Sequence, residues 1–90
     1  MGEDDYLASI ALFAGSFAPV GWADCDGSLL DINRNSALFS LIGTAFGGDG
    51  RIHFALPDLR PKDDQGAPRP WRAGELRHCI CTLGRYPTRP

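Results

Sequence analysis

Three cysteines, two histidines and a scatter of aspartates are the side chains with chemistry to offer. Cys79 and Cys81 stand two apart, so on a strand both face one side and are badly placed to bond each other. Either can meet Cys25 if their strands are neighbours, which leaves one thiol over. C-x-C is not the C-x-x-C of a zinc ribbon or a thioredoxin-like redox site. Buried free thiols and a disulfide from Cys25 to Cys79 or Cys81 both fit the pattern. An odd count also allows a bridge between chains outside the cell. His53 and His78 have no partners at metal-ligand spacing, and a histidine set would need three copies meeting on one axis. The GGDG run at 47–50 lacks the Gly-Lys-Ser/Thr ending of a P-loop and reads as a tight turn. Asp24, Asp26, Asp31, Asp49 and Asp58 lie among turns, where aspartate bonds its own backbone. Ser16, Ser28, Ser36 and Ser40 sit in no nucleophile elbow. The pattern contains no enzyme constellation and calls for no metal or cofactor.

Ninety residues make one domain, which buries only roughly 60–65% of the surface its unfolded chain exposes. Partner subunits, a disulfide or a metal would complete such a small core. The composition is 43% apolar and 22% charged, a globular balance rather than a disordered one. Eleven glycines and seven prolines exceed the usual combined share of roughly 12%, which favours a turn-rich, strand-rich fold. A net charge of -2 argues against nucleic acid as a partner. No apolar run reaches the roughly 20 residues of a membrane span, so no membrane insertion is expected. The opening MGEDD is acidic and lacks the basic region of a secretory signal, which implies synthesis in the cytoplasm without a signal peptide.

These side chains need elements to position them. Residues 1–5 read as a frayed polar start. Residues 6–14 (YLASIALFA) form the first strand, apolar on both faces and so expected in the middle of a sheet or at a subunit contact. Residues 22–32 read as a hairpin, because Asp26-Gly27 is the strongest short turn signal in the chain. Asn33 is placed to cap a helix over 34–42, with Ala37, Leu38, Leu41 and Ile42 on its apolar face and Gly43 at its end. Residues 61–74, with three prolines and mixed charge, form an exposed loop carrying Trp71. Residues 75–83 alternate well enough for a closing strand. The fold class is therefore α+β: a small turn-rich sheet with one short helix. Trp22, Phe39, Phe46 and Phe54 are the expected aromatic core. Trp71, Arg69, Arg72 and Tyr86 are the candidates for contact with a partner or receptor.

Six segments in fixed order carry a family resemblance. They are Phe13-Ala14-Gly15, Phe17-Ala18-Pro19-Val20-Gly21-Trp22, Cys25-Asp26-Gly27, ALFSLIGT at 37–44, GGDG at 47–50 and FALPDLR at 54–60. Together they resemble the phage tail collar family, also called microcystin-dependent-protein-like. Family members usually continue Gly-Arg and then a longer glycine-rich region, whereas this chain has Pro61-Lys62 and turns quickly to a closing segment at 76–87. It is thus a short version without the long tip region. The resemblance implies a small α+β module of a tail fibre, tail tip, collar or related contractile injection particle. It implies a homotrimer in the virion tail that contacts other tail or baseplate proteins and serves assembly or host attachment, not catalysis. A module that reads a cell-surface glycan through Trp71 or Tyr86 is the alternative.

Overall fold

The computed structural model describes residues 5–87. The frayed start expected at 1–5 therefore lies, Asp5 apart, outside the described residues. Five short strands and one helix follow in the order β1 (Ile10–Phe13), β2 (Trp22–Asp24), β3 (Leu29–Asp31), α1 (Ser36–Ile42), β4 (His53–Ala55) and β5 (Arg77–Cys81). They make two antiparallel sheets, one ordered β1-β5-β2 and one pairing β3 with β4. This is a small α+β fold.

The closing strand, not the first, takes the middle of the larger sheet. Cys79, Ile80 and Cys81 are at most 1% exposed, whereas Ile10 and Leu12 of β1 are 46% and 53% exposed. The first strand is also shorter than its apolar run. Ala8 adopts φ 70°, and the Ser9 N–H closes a turn on the Tyr6 carbonyl. That break sends residues 5–7 across to pair with Arg85. Only the segment after the break can lie flat along β5.

The hairpin expected at 22–32 does not form, because β2 and β3 belong to different sheets. Gly27 does take a positive φ of 77°, but its N–H reaches the Pro57 carbonyl at 3.3 Å. Asp26 pairs with Asp58, and the same register continues through Leu29–Ala55 to Asp31–His53. The Leu56 N–H to Ser28 carbonyl bond (3.0 Å) fills the gap between them, and the Leu59 N–H to Cys25 carbonyl bond (2.8 Å) extends the pairing beyond Asp26. A long-range partner at 53–59 has replaced the local one.

The helix begins at Ser36, with Asn35 rather than Asn33 before it. Asn35 does not cap through its side chain; its Nδ2 donates to the Asp31 carbonyl at 3.0 Å instead. Asp31 Oδ1 accepts the Asn33 N–H, so residue 33 is held in a turn ahead of the helix. Gly43 closes the helix with φ 54° and an N–H donated to the Phe39 carbonyl. Leu38 enters the core with Leu7, Cys25, Phe54, Leu56 and Ile80, while Phe39, Leu41 and Ile42 pack against it and Ala37 stays exposed. The rings of Phe39 and Phe54 meet at 5.4 Å, tilted by 57°. Of the expected aromatic core, Phe54 is fully buried and Trp22 and Phe39 are half-buried. Phe46 is 51% exposed, because it rides on a turn closed by the Gly47 N–H and the Thr44 carbonyl.

The GGDG segment is pressed against β4, with residues 47–49 outside any regular element and a bend at Gly50. A Cβ on Gly48 would sit 2.5 Å from Phe54 Cα and 2.8 Å from the His53 carbonyl oxygen, and φ there is 97°. Asp49 Oδ1 gathers the N–H groups of Arg51, Ile52 and His53 at 2.9, 3.0 and 3.0 Å. Those bonds, the one from His53 foremost, pull its pKa down to about 2.

All three cysteines are free thiols and buried, and no bond joins Cys25 to Cys79 or Cys81. Alternation explains this. Asp24 lies opposite Cys79 in the ladder, so Cys25 turns to the other face and joins Ile80 in the core. Burial pushes the Cys25 thiol up to about 12 and the Cys79 thiol up to about 11. Among the described residues, no group of three His, Cys, Asp or Glu side chains could hold a metal ion, and no helix is long and apolar enough to cross a membrane.

Three outcomes follow from this packing. Gly48→Ala should destabilise the fold by roughly 2 kcal/mol or more, read from chemical denaturation. Asp49→Asn keeps the acceptor but removes the charge. A carboxylate with a lowered folded pKa adds stability above its unfolded value of about 4, and that stability fades as pH falls towards about 2. The stability gap between wild type and Asp49→Asn should therefore close across that window in acid titrations followed by circular dichroism. Finally, a thiol reagent at about pH 8 should leave the native protein unmodified and react with all three cysteines only after unfolding.

Candidate functional site

The loop at 61–74 is held by its own side chains. Asp63 Oδ1 accepts the N–H groups of Gln65 and Ala67, both at 2.9 Å, and the Arg69 N–H reaches back to the Pro61 carbonyl. Arg69 then grips Glu75 with its two terminal guanidinium nitrogens, Nη1 and Nη2, each at 2.8 Å. Glu75 Oε1 also accepts the Arg72 N–H at 2.7 Å. The Arg69 guanidinium is the main reason that Glu75 titrates at about 2. This clamp closes 69–75 into a compact bend and brings Trp71 over β5.

Arg77, the first residue of β5, fixes the other side. Its Nη1 donates to Asp24 Oδ2 at 2.8 Å and its Nε to the Gly15 carbonyl at 3.1 Å. Its guanidinium carbon lies 5.4 Å from the centre of the Trp71 ring, a cation–π contact. Only 13% of the Arg77 side chain is exposed. Trp71 therefore stands as a partition between two depressions. One, of about 310 Å³, runs along Gly15, Ser16, Arg72 and Gly74. The other, of about 210 Å³, is walled by Asp24, Asp26, Arg60, Pro70, Trp71 and Arg77.

The second depression exists because Asp26-Gly27 docks on Pro57-Asp58 instead of turning a hairpin. That docking sets Asp26 beside Arg60. Arg60 is itself held by Asp58 through two bonds of 2.9 and 2.7 Å. The Arg60 guanidinium lowers the Asp58 pKa to about 2. A side chain on Gly27 would press on Asp58, with a Cβ 3.2 Å from its Oδ2.

Of the candidate contact residues, the structure gathers Trp71, Arg69 and Arg72 into one bend. Arg69 spends its charge on Glu75 and shapes the loop, while the Arg72 side chain is exposed. Tyr86 lies apart, its hydroxyl 2.8 Å from Ser40 Oγ on α1. The remaining wall residues, Asp24, Asp26, Arg60 and Arg77, were legible only as turn aspartates and late basic residues. The usable signal was charge of opposite sign, Asp24 and Arg77, on two short strands.

The chain matches the phage tail collar domain over residues 8–62, more than half of its length. That stretch contains β1 to β4 and α1 and ends before the Trp71 bend. The chain is also 32% identical over 83 residues to a protein of Desulfovibrio desulfuricans named ribosomal RNA small subunit methyltransferase H, a match covering 83% of this chain. It spans about a quarter (24%) of that curated relative's length. No solved structure matches. With most of its strands and its helix inside the matched stretch, the chain belongs to the phage tail collar domain family.

Proposed function

We propose that the chain is a structural subunit of a phage tail, a collar or tail-tip part acting in particle assembly and host attachment. The observation that carries this reading is the collar match over residues 8–62. The collar domain is a structural domain of phage tails. The exposed apolar side chains support a part built into something larger: Val20 is 98% exposed, Leu83 73% and Phe17 72%. An edge strand with Ile10 and Leu12 open to solvent adds to them. In this reading they are covered by further copies, as a homotrimer, and by other tail or baseplate proteins of a virion or contractile injection particle. Methyl transfer belongs to the Desulfovibrio relative's name; a match to 24% of that protein weighs less than the collar match, and the chain is read as a non-enzyme.

A second reading, a module that recognises a cell-surface glycan, draws on one observation. Trp71 forms a wall of both depressions and stays partly open to solvent.

Purified particles carrying the chain should show it in the tail by antibody labelling in electron microscopy. Light scattering of the isolated chain should give the mass of three copies with or without reductant. Particles that lack the chain but keep a complete tail and adsorb normally would defeat the proposal.

A further inference from the structure

We infer that the depression on the Asp26 side of Trp71 binds one neutral pyranose ring of a surface polysaccharide. The inference rests on host attachment, as proposed above, for its biological setting, while the chemistry of the groove carries it.

A pyranose has an apolar face of C–H groups and a rim of hydroxyls. It needs a flat apolar wall with fixed donors and acceptors around it. Trp71 and Pro70 supply the wall, and Asp24, Asp26, Arg60 and Arg77 supply the rim. The rim is locked before any ligand arrives. Asp24 and the Gly15 carbonyl hold Arg77, and Asp58 holds Arg60 with two bonds. Little side-chain freedom remains to be lost on binding. Asp26 gives Oδ1 to the Ser28 N–H at 3.1 Å, and among the described residues its Oδ2 has no partner. Two neighbouring hydroxyls of a sugar fit the paired oxygens of a carboxylate or the paired N–H groups of a guanidinium.

Charge selects within that class. Two carboxylates and two guanidiniums line the groove, and Asp58 behind Arg60 adds a third carboxylate. Lys62 beside Asp58 offsets that carboxylate, so the groove has no net positive charge to draw acidic sugars and phosphates. Volume selects too. About 210 Å³ lies below the roughly 300–1,000 Å³ of drug-sized sites and suits a single ring. The depression on the far side of Trp71 has Arg72 and Arg77 but no carboxylate among its lining residues, so it offers neighbouring hydroxyls no paired carboxylate oxygens.

The experiment uses the full 90-residue chain, labelled with ¹⁵N. It is titrated with the methyl glycosides of glucose, galactose, mannose and N-acetylglucosamine, and with glucuronate and sialic acid as acidic probes. The Trp71 indole N–H is the reporter and that of Trp22 the internal reference. At least one neutral glycoside should shift Trp71, Asp26, Arg60 and Arg77 saturably at roughly millimolar concentration. Glucuronate and sialic acid should bind about tenfold more weakly or not at all. Trp71→Ala and Asp26→Ala should each weaken binding about tenfold, and Trp71→Phe should keep most of it. Asp26→Ala guards against a Trp71 variant that fails to fold, since its side chain makes one backbone bond.

The inference is overturned if no neutral glycoside moves these signals, if the acidic sugars bind more tightly, or if Asp26→Ala binds like wild type. Particle adsorption is scored separately. Sugar binding lost with adsorption unchanged leaves the groove as assigned and defeats host attachment. Absence of sugar binding with the chain in the tail defeats the groove and leaves the tail role standing.

Discussion

Residues 79–81 see almost no solvent, and the strands that flank them come from the opposite end of the chain. That single constraint orders the rest. A strand buried on both faces must have small or apolar side chains throughout, which Cys79, Ile80 and Cys81 provide. Its two neighbours, β1 and β2, then become edges, and their outer apolar residues stay open. The core forms on one face only, where Ile80 meets Cys25, Leu38, Phe54 and Leu56. The other face carries Asp24, Arg77 and Cys79, with the Cys79 thiol 3.7 Å from Asp24 Oδ1. The charged pair is affordable there because each partner satisfies the other and the sheet end still reaches water.

Local signals in the sequence were reliable where the structure is local. The helix, its Gly43 ending and the closing strand are each specified within a few residues of themselves. They appear close to where the residues put them. The extent of the first strand, its place in the sheet and the Asp26-Gly27 hairpin differ from the local reading for a shared reason. All depend on what arrives later in the chain. Asp-Gly can close a two-residue hairpin, yet here a better partner, Pro57 to Leu59, offers backbone groups to the same segment. An apolar run of nine residues says that much surface must be covered. It does not say that Ala8 will break the run or that β5 will take the centre.

The site was half legible for the same reason. Trp71 stood out as a large aromatic in a polar, proline-rich loop, which has few ways to bury it. Its neighbours did not stand out, because Asp24, Asp26, Arg60 and Arg77 converge only once β2 is in register with β5 and the Cys25–Ser28 segment with 56–59. The collar match covers the Asp26 and Arg60 side of the groove and stops short of Trp71 and Arg77. One wall therefore lies within the matched stretch, and the facing wall lies outside it.

The ion pairs around Trp71 are better understood as braces than as sources of stability. Exposed pairs contribute on the order of 0–1 kcal/mol, and Arg69–Glu75 and Arg60–Asp58 are only partly shielded from water. What they provide is angle and position. Two nitrogens on two oxygens leave a guanidinium one orientation, which a lysine in its place would not keep. Arg69 sets the bend that carries Trp71, Arg60 sets the rim beside Asp26, and Arg77 joins the sheet to the tryptophan ring. A fold with so modest a core has little rigidity to lend a surface loop. Clamping the loop with its own charges gives it a fixed shape without drawing on the interior, and a fixed shape is what recognition by a surface requires.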